Sequence, residues 1–267
     1  MGRLTYDGTA YLGFQRQGGD APTIQAAVES ALASVAGHPV GCSAAGRTDT
    51  GVHASGQIIS WQMGWQHPLD NLLRATNLQL PGDIALQAVA LAEEGFHPRF
   101  SALRRTYLYR IYIAPTRDPL RQRYVWHYYR PLDATAMAQA AGLLEGVHDF
   151  ATFGQPSSGT TTVRHVIATQ VQAVADEIHF TITANAFLQR MVRSIVGALV
   201  DVGREKTTVK EFEEAFLAAD RMRGGASTAP PQGLVLTEVT YKKDLFTTSA
   251  QPEMIGIEKS GGKQHEI

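Results

Sequence analysis

One cysteine, Cys42, stands among 267 residues, so no disulfide forms within the chain and no cysteine-based zinc site exists. A lone cysteine among small apolar neighbours reads as a core residue and not as a nucleophile. Lysine is missing from the first 205 residues: the cations there are sixteen arginines, and the six lysines begin at Lys206. No apolar run approaches the length that spans a bilayer, and the N-terminus lacks a secretory apolar core. The nine histidines show no H-E-x-x-H spacing, and neither a Walker-type phosphate loop nor a dinucleotide fingerprint occurs. These absences predict a cytoplasmic protein, free of the membrane, that works without metal, nucleotide or other organic cofactor.

The formal net charge is −1, from 24 Lys and Arg against 25 Asp and Glu. That balance argues against a polyanionic partner only if charge is spread evenly, and it is not. Between Phe96 and Pro131 stand eight arginines (Arg99, Arg104, Arg105, Arg110, Arg117, Arg121, Arg123 and Arg130) and one acid, Asp118. A local basic stripe favours a polyanion, and the guanidinium fork suits phosphate contact and base stacking better than an ammonium does.

A chain of this length suits one large domain or two smaller halves. Hydrophobic periodicity predicts a strand at Leu4–Tyr6, a helix from about Thr23 to Ala36, two strands flanking the loop at Gly46–Ala54, a helix near Leu69–Leu78 and a strand at Ile84–Ala90. It then predicts a strand at Arg105–Ala114, a helix capped by Asp133 and running to Leu144, strands at Val163–Val174 and Ile178–Ala184, a helix at Phe187–Val202 and a last strand at Leu234–Tyr241. Each half reads β-α-β-β-α-β, the split βαβ pattern. The expected class is α+β, with two ferredoxin-like halves (1–98 and 99–245) whose antiparallel sheets join near Phe96–Ala102. A further helix, Val209–Ala219, opens with a capping box at Thr208–Glu211. Residues 246–267 read as a polar, aperiodic, mobile tail. Of two turn-rich loops, Gly154–Thr162 reads as plain surface connection, and Arg223–Gln232 as a segment that could line a site.

The stretch Gly46-Arg47-Thr48-Asp49-Thr50-Gly51-Val52-His53-Ala54 places one carboxylate, Asp49, at the tip of a short loop. Gly46 and Gly51 permit backbone angles that other residues avoid and let a ligand approach closely; an Asp-x-Gly turn without chemistry is the competing reading. Arg47 either pairs with Asp49 or reaches away toward phosphate. Tyr107 and Tyr109 share one strand face inside the arginine stripe, as base stacking requires, although two such aromatics also fill a core. On the helix from Phe187, Arg190 and Arg193 share a face, with Gly197 one turn below Arg193. An arginine beside a glycine on so apolar a helix reads as a buried ion-pair partner needing an acid, and Asp49 is a candidate.

Tyr6-Asp7-Gly8-Thr9, Gly13-Phe14-Gln15-Arg16-Gln17, the Gly46–Ala54 loop with Gly56-Gln57, Phe96-His97-Pro98-Arg99, Arg105-Thr106-Tyr107-Leu108-Tyr109, His148-Asp149-Phe150, the run Asn185–Arg193 and Ala229-Pro230-Pro231-Gln232-Gly233-Leu234 occur in this order. With them the chain, over about residues 3–241, resembles the bacterial TruA-type tRNA pseudouridine synthases. The resemblance implies a homodimer of pseudouridine synthase fold that isomerises uridines in the anticodon arm of tRNA, at tRNA positions 38 to 40, without a cofactor. It implies that Asp49 is the catalytic aspartate, that Arg193 pairs with it and that Arg47 helps extrude the target nucleotide. It also implies that Tyr107 stacks on the target base, its phenol near enough to be considered for removing the C5 proton. Two features depart from the family pattern: a first strand that looks short, and a lysine-bearing C-terminal tail. Two other readings stay open. One is a non-catalytic RNA-binding protein, which leaves Asp49 unexplained; the other is a pseudouridine synthase acting on ribosomal or other RNA.

Overall fold

The computed structural model describes residues 1–156, 159–220 and 227–246; beyond Phe246, the expected tail lies outside the described residues. The chain runs β1 (Gly2–Tyr6), α1 (Ile24–Ala36), β2 (Cys42–Ala44), β3 (His53–Trp61), α2 (Leu69–Gln79), β4 (Ile84–Val89), β5 (Arg104–Ile113), β6 (Trp126–Tyr128), α3 (Ala134–Gly142), β7 (Gly146–Asp149), β8 (Val163–Val174), β9 (Glu177–Ala184), α4 (Met191–Gly203), α5 (Val209–Leu217) and β10 (Leu234–Thr240).

Helix starts follow side-chain capping. Thr23 accepts from the N–H of Ala26, Asp133 from those of Thr135 and Ala136, and Thr208 and Glu211 form the reciprocal box. Along α1 the apolar stripe Ile24, Val28, Ala31 and Leu32 turns inward. Strands bury alternate residues: β5 buries Arg105, Tyr107, Tyr109 and Ile111, and β9 buries Ile178, Phe180, Ile182 and Ala184. Cys42 is a buried member of the same core, and burial pushes its thiol up to about 12, so it stays protonated and inert. Helices α1 and α2 pack together beside the first strands, while α3 packs on β8, α4 and α5.

The ten strands form one mixed sheet in the order β4-β1-β3-β10-β5-β9-β8-β7, with β2 on β3 and β6 on β5. The fold is α+β as expected, but the two antiparallel sheets that the sequence predicts are a single sheet. The cause lies along one edge of β3. Only three residues long, β2 covers Ile59 to Trp61 of that edge. His53 and Ala54 are left to pair, in parallel, with Val235 and Leu236 of β10, and β10 pairs antiparallel with β5. The early and late strands therefore fuse where β2 stops, and the loop leaving β2 is the one that carries Asp49.

Two further differences bear on the site. Helix α4 starts at Met191 and not at Phe187, because Arg190 sits at the N-cap in the left-handed region (φ 61). Gln189 bridges Gln155 just before it. Short as it is, β1 is paired on both sides, by β3 and β4.

Candidate active site

The loop bearing Asp49 is bonded along almost its whole length. Ala45 N donates to Ile58 O (2.8 Å). The fully buried Gln57 amide donates to Gly46 O (2.8 Å) and accepts from Gly46 N (3.2 Å). Thr48 O accepts from Phe14 N (3.0 Å), and the Thr48 hydroxyl pairs with the Tyr6 phenol (2.8 Å). Burial pushes that phenol up to about 12, so it keeps its proton at neutral pH. Val52 N donates to Asp49 O (3.1 Å), closing a turn whose third residue, Gly51, has φ 76, as a type II turn requires. Gly46 is different: it has no positive φ, and a Cβ on it would meet the Tyr107 hydroxyl at an ordinary 3.7 Å. Of the two loop glycines, only Gly51 supplies an unusual backbone angle.

The loop faces an open cleft of about 960 Å³. Asp49, its side chain 25% exposed, places Oδ2 3.4 Å from Arg193 Nη1, an ion pair looser than the roughly 2.7–2.9 Å of a tight charge-assisted hydrogen bond. Arg193 is held from behind, its Nε donating to Ala229 O (2.8 Å) while Ala229 N donates to Arg193 O (3.0 Å). Gly197 makes this possible. A Cβ there would lie 1.9 Å from Ser227 O, so the bare helix surface admits the segment whose carbonyl holds the arginine. Pro231 of the same connection packs within 2.9 Å of where a Gly51 Cβ would be. The described end of the Arg223–Gln232 loop thus does reach the site. So does Pro156 of the other loop, which lines the cleft and departs from a plain surface connection.

Tyr107 is 9% exposed, and its ring meets Phe187 edge to face at 5.0 Å. Burial, with the neighbouring Tyr6 and Asp49, raises its pKa against the pull of Arg105. Tyr109 is fully buried, donating to Pro230 O (2.7 Å), and is the core member of the pair. Arg47 is exposed at the cleft rim and, among the described residues, forms no ion pair. The structure therefore brings Asp49, Arg193 and Tyr107 to one cleft, leaves Arg47 at its edge and does not pair Arg47 with Asp49. Arg190, at the N-cap and outside the helix, does not share a helical face with Arg193, although it lines the same cleft.

The arginine stripe does not form one surface. Arg105 is buried; Arg104 donates to the Thr240 hydroxyl. Arg110 and Arg121 both bind Glu177, and Arg121 also binds Asp176 at 2.7 Å. Burial alone would raise the Glu177 carboxyl, but hydrogen bonds from Arg110, Arg121 and His179 outweigh it and hold the group at about 2. Gln57 and Arg105 also belong to the site, although the motifs that contain them assign neither a role. A polar residue on the buried face of an alternating strand was the available signal for both. Among the described residues, no three His, Cys, Asp or Glu side chains are grouped to hold a metal ion, and no helix is long and apolar enough to cross a membrane.

A family profile described as tRNA pseudouridine synthase matches residues 4–101 and 140–242. The chain is 41% identical over 239 residues to tRNA pseudouridine synthase A of Syntrophotalea carbinolica, covering 89% of this chain and 94% of that one. It is 41% identical over 239 residues to the enzyme of the same name from Brevibacillus brevis, covering 89% and 97%. To that of Chloroflexus aurantiacus it is 43% identical over 252 residues, covering 91% and 88%. A lone carboxylate in an arginine-lined cleft, on a chain with these relatives, defines an isomerase of the pseudouridine synthase class. The chain belongs to the tRNA pseudouridine synthase family, in its TruA-type branch.

Proposed function

We propose that this protein converts uridine to pseudouridine in the anticodon arm of tRNA, at tRNA positions 38 to 40, with Asp49 as the catalytic group. One observation carries the reading. Among the described residues lining the cleft, Asp49 is the single acid, and six arginines (Arg16, Arg47, Arg99, Arg105, Arg190 and Arg193) surround it. The exposed Arg47 and Arg190 are the ones open to a folded RNA backbone, while Arg105 and Arg193 are committed within the protein; a lone carboxylate among them has no reason to exist in a surface that only binds.

The reaction breaks the bond from N1 to C1′, turns the uracil and joins C5 to C1′; C5 gives up a proton and N1 ends with one. A paired base hides both atoms, so the nucleotide must first leave the stack, which costs a few kcal/mol. Arg47, exposed at the rim, is placed to hold the backbone of the extruded nucleotide. Asp49 then attacks C1′ as nucleophile or takes the 2′ proton to give a glycal; in either route Arg193, 3.4 Å away, holds the carboxylate in place. A typical glycoside hydrolase uses two carboxylates, one of them to handle water. The single carboxylate here suits an isomerase that keeps the base and excludes water. Tyr107 offers its ring to the uracil face, and Phe187 braces that ring from the side.

The same reading takes residues 1–98 and 99–245 as two split βαβ halves. Strand orders β4-β1-β3-β2 and β10-β5-β9-β8 support it, since each half repeats the arrangement of the other. It also takes the working form as a cytoplasmic homodimer without cofactor, to which the exposed apolar side chains Val147, Val163 and Ile167 on the β7–β8 side lend support. Incubating the protein with an unmodified tRNA transcript, followed by chemical derivatisation and mapping, tests the assignment. Pseudouridine at positions 38 to 40 supports it, pseudouridine only in other RNA replaces the substrate, and binding without isomerisation returns the chain to a binding role.

A further inference from the structure

We propose that Arg105 is a positioning residue, whose guanidinium sets the Asp49 loop against the segment leading into α4 and so fixes the Asp49–Arg193 arrangement needed for turnover. The inference rests on the function proposed above. Arg105 is 8% exposed at the floor of the cleft. Its Nε and Nη2 donate to Ala45 O at 3.3 and 3.0 Å, and Nη2 also donates to Arg99 O at 2.6 Å. Its Nη1 donates to Asn185 O at 2.8 Å and to Ala102 O at 3.5 Å. A guanidinium has five N–H donors, and here all five point at backbone carbonyls.

Those carbonyls belong to three segments far apart in sequence. Ala45 is the residue before Gly46, at the entry to the Asp49 loop. Arg99 and Ala102 lie in the connection between β4 and β5. Asn185 opens the run to Arg190 and Arg193. No carboxylate among the described residues pairs with Arg105, so a buried charge is balanced by carbonyl dipoles alone, which is a demanding arrangement to maintain. Only a planar fork spans three directions at once; an ammonium radiates three donors from one point. The loop is thus gripped twice at its start, by Arg105 at Ala45 and by Gln57 at Gly46. The two members of the 3.4 Å pair, Asp49 and Arg193, hang from segments that meet at the same guanidinium.

The test uses Arg105→Lys, which keeps the charge but loses the fork, and Arg105→Gln, which relieves the buried charge. Each is made alone and together with Arg193→Ala. Melting and circular dichroism report folding, filter binding reports tRNA affinity, and single-turnover assays at saturating enzyme report pseudouridine formation. Displacing catalytic groups by about 1 Å lowers rates on the order of 100-fold. At least one variant is therefore expected to fold, to bind tRNA within about tenfold of the unmodified protein and to turn over more than about tenfold slower. In the Arg193→Ala background the same substitution should add less than about threefold, as for groups that act as a unit. Rates within tenfold in the folded variants, a loss confined to affinity, a full multiplicative loss in the Arg193→Ala background, or failure of both variants to fold would each overturn the inference. An unmodified protein that forms no pseudouridine, or an Asp49→Asn variant that still does, overturns the underlying reading, and this inference with it.

Discussion

Tyr107 and Tyr109 lie two positions apart on one strand face, and the chain around them decides which is core and which is available to a ligand. The Tyr109 hydroxyl is tied to Pro230 O at 2.7 Å with the ring fully buried, whereas Tyr107 keeps a margin open to the cleft. Replacing Tyr107 with Leu removes a stacking face worth roughly 1–3 kcal/mol, so tRNA affinity should fall about 5- to 150-fold in a filter-binding titration. Tyr107→Phe keeps that face and should bind normally but turn over more slowly, because C5 must lose its proton. The raised pKa leaves the phenolate scarce at neutral pH. The rate of the unmodified protein should therefore climb as pH rises above 7, and that of Tyr107→Phe should not. A phenylalanine variant of full rate at every pH reduces Tyr107 to a platform. Arginines also divide by context. Arg47→Ala should lower the slope of log affinity against log salt by about 1, as loss of one phosphate contact does. Arg121→Ala, in a side chain already bound to Asp176 and Glu177, should leave the slope unchanged; equal effects from the two would contradict this division of the stripe.

Among the elements, α4 and the loop after β2 show how packing sets the site. Gly197→Ala forces a Cβ to within 1.9 Å of Ser227 O, so helix and segment must part and Arg193 loses its anchor on Ala229. Overpacking of this kind costs about 1–3 kcal/mol, which lowers Tm by roughly 2–10 °C, and turnover should fall more than tenfold. Gly46→Ala adds its Cβ at an ordinary 3.7 Å and should shift Tm little; differential scanning of both variants reads the contrast. Most elements were legible in the sequence because alternation and caps are local: β8 matches its expected bounds, and Thr23, Asp133 and Thr208 mark their helices. The start of α4 was not, since Phe187 and Leu188 continue its apolar pattern, and what turns them aside is the left-handed Arg190 together with the bridge from Gln155 to Gln189. Asp49, Tyr107 and Arg193, which share the cleft, stand out in the sequence by type and motif. The grips of Arg105 and Gln57 on the loop do not, because each joins residues with no sequence relation.

For the whole molecule, the fusion of all strands through β10 and β3 puts the cleft at a seam between early and late chain. Parallel pairing between segments so far apart leaves no local trace, which is why the sequence suggests two sheets. Acid stability should also report on the whole fold. His53 is buried with its pKa lowered from 6.5 by burial, which outweighs the nearby Asp7. The unfolded chain takes up that proton first, so stability is lost as pH falls below about 6.5. Glu177 is held at about 2 against an ordinary 4.5, so its contribution is present above 4.5 and is lost between there and 2. Urea unfolding across this range should show two stages, the first smaller in His53→Gln and the second smaller in Glu177→Gln, whose neighbours Asp7 and Asp176 also have lowered pKa values; a profile insensitive to both substitutions would contradict the assignment. Whether one carboxylate carries the chemistry of the cleft is read by single-turnover pseudouridine formation with Asp49→Asn on an unmodified tRNA. The amide has nearly the same shape but neither attacks C1′ nor accepts the 2′ proton. No detectable pseudouridine is expected, with tRNA binding and Tm close to those of the unmodified protein; formation within about tenfold of the unmodified rate would remove Asp49 from the chemistry.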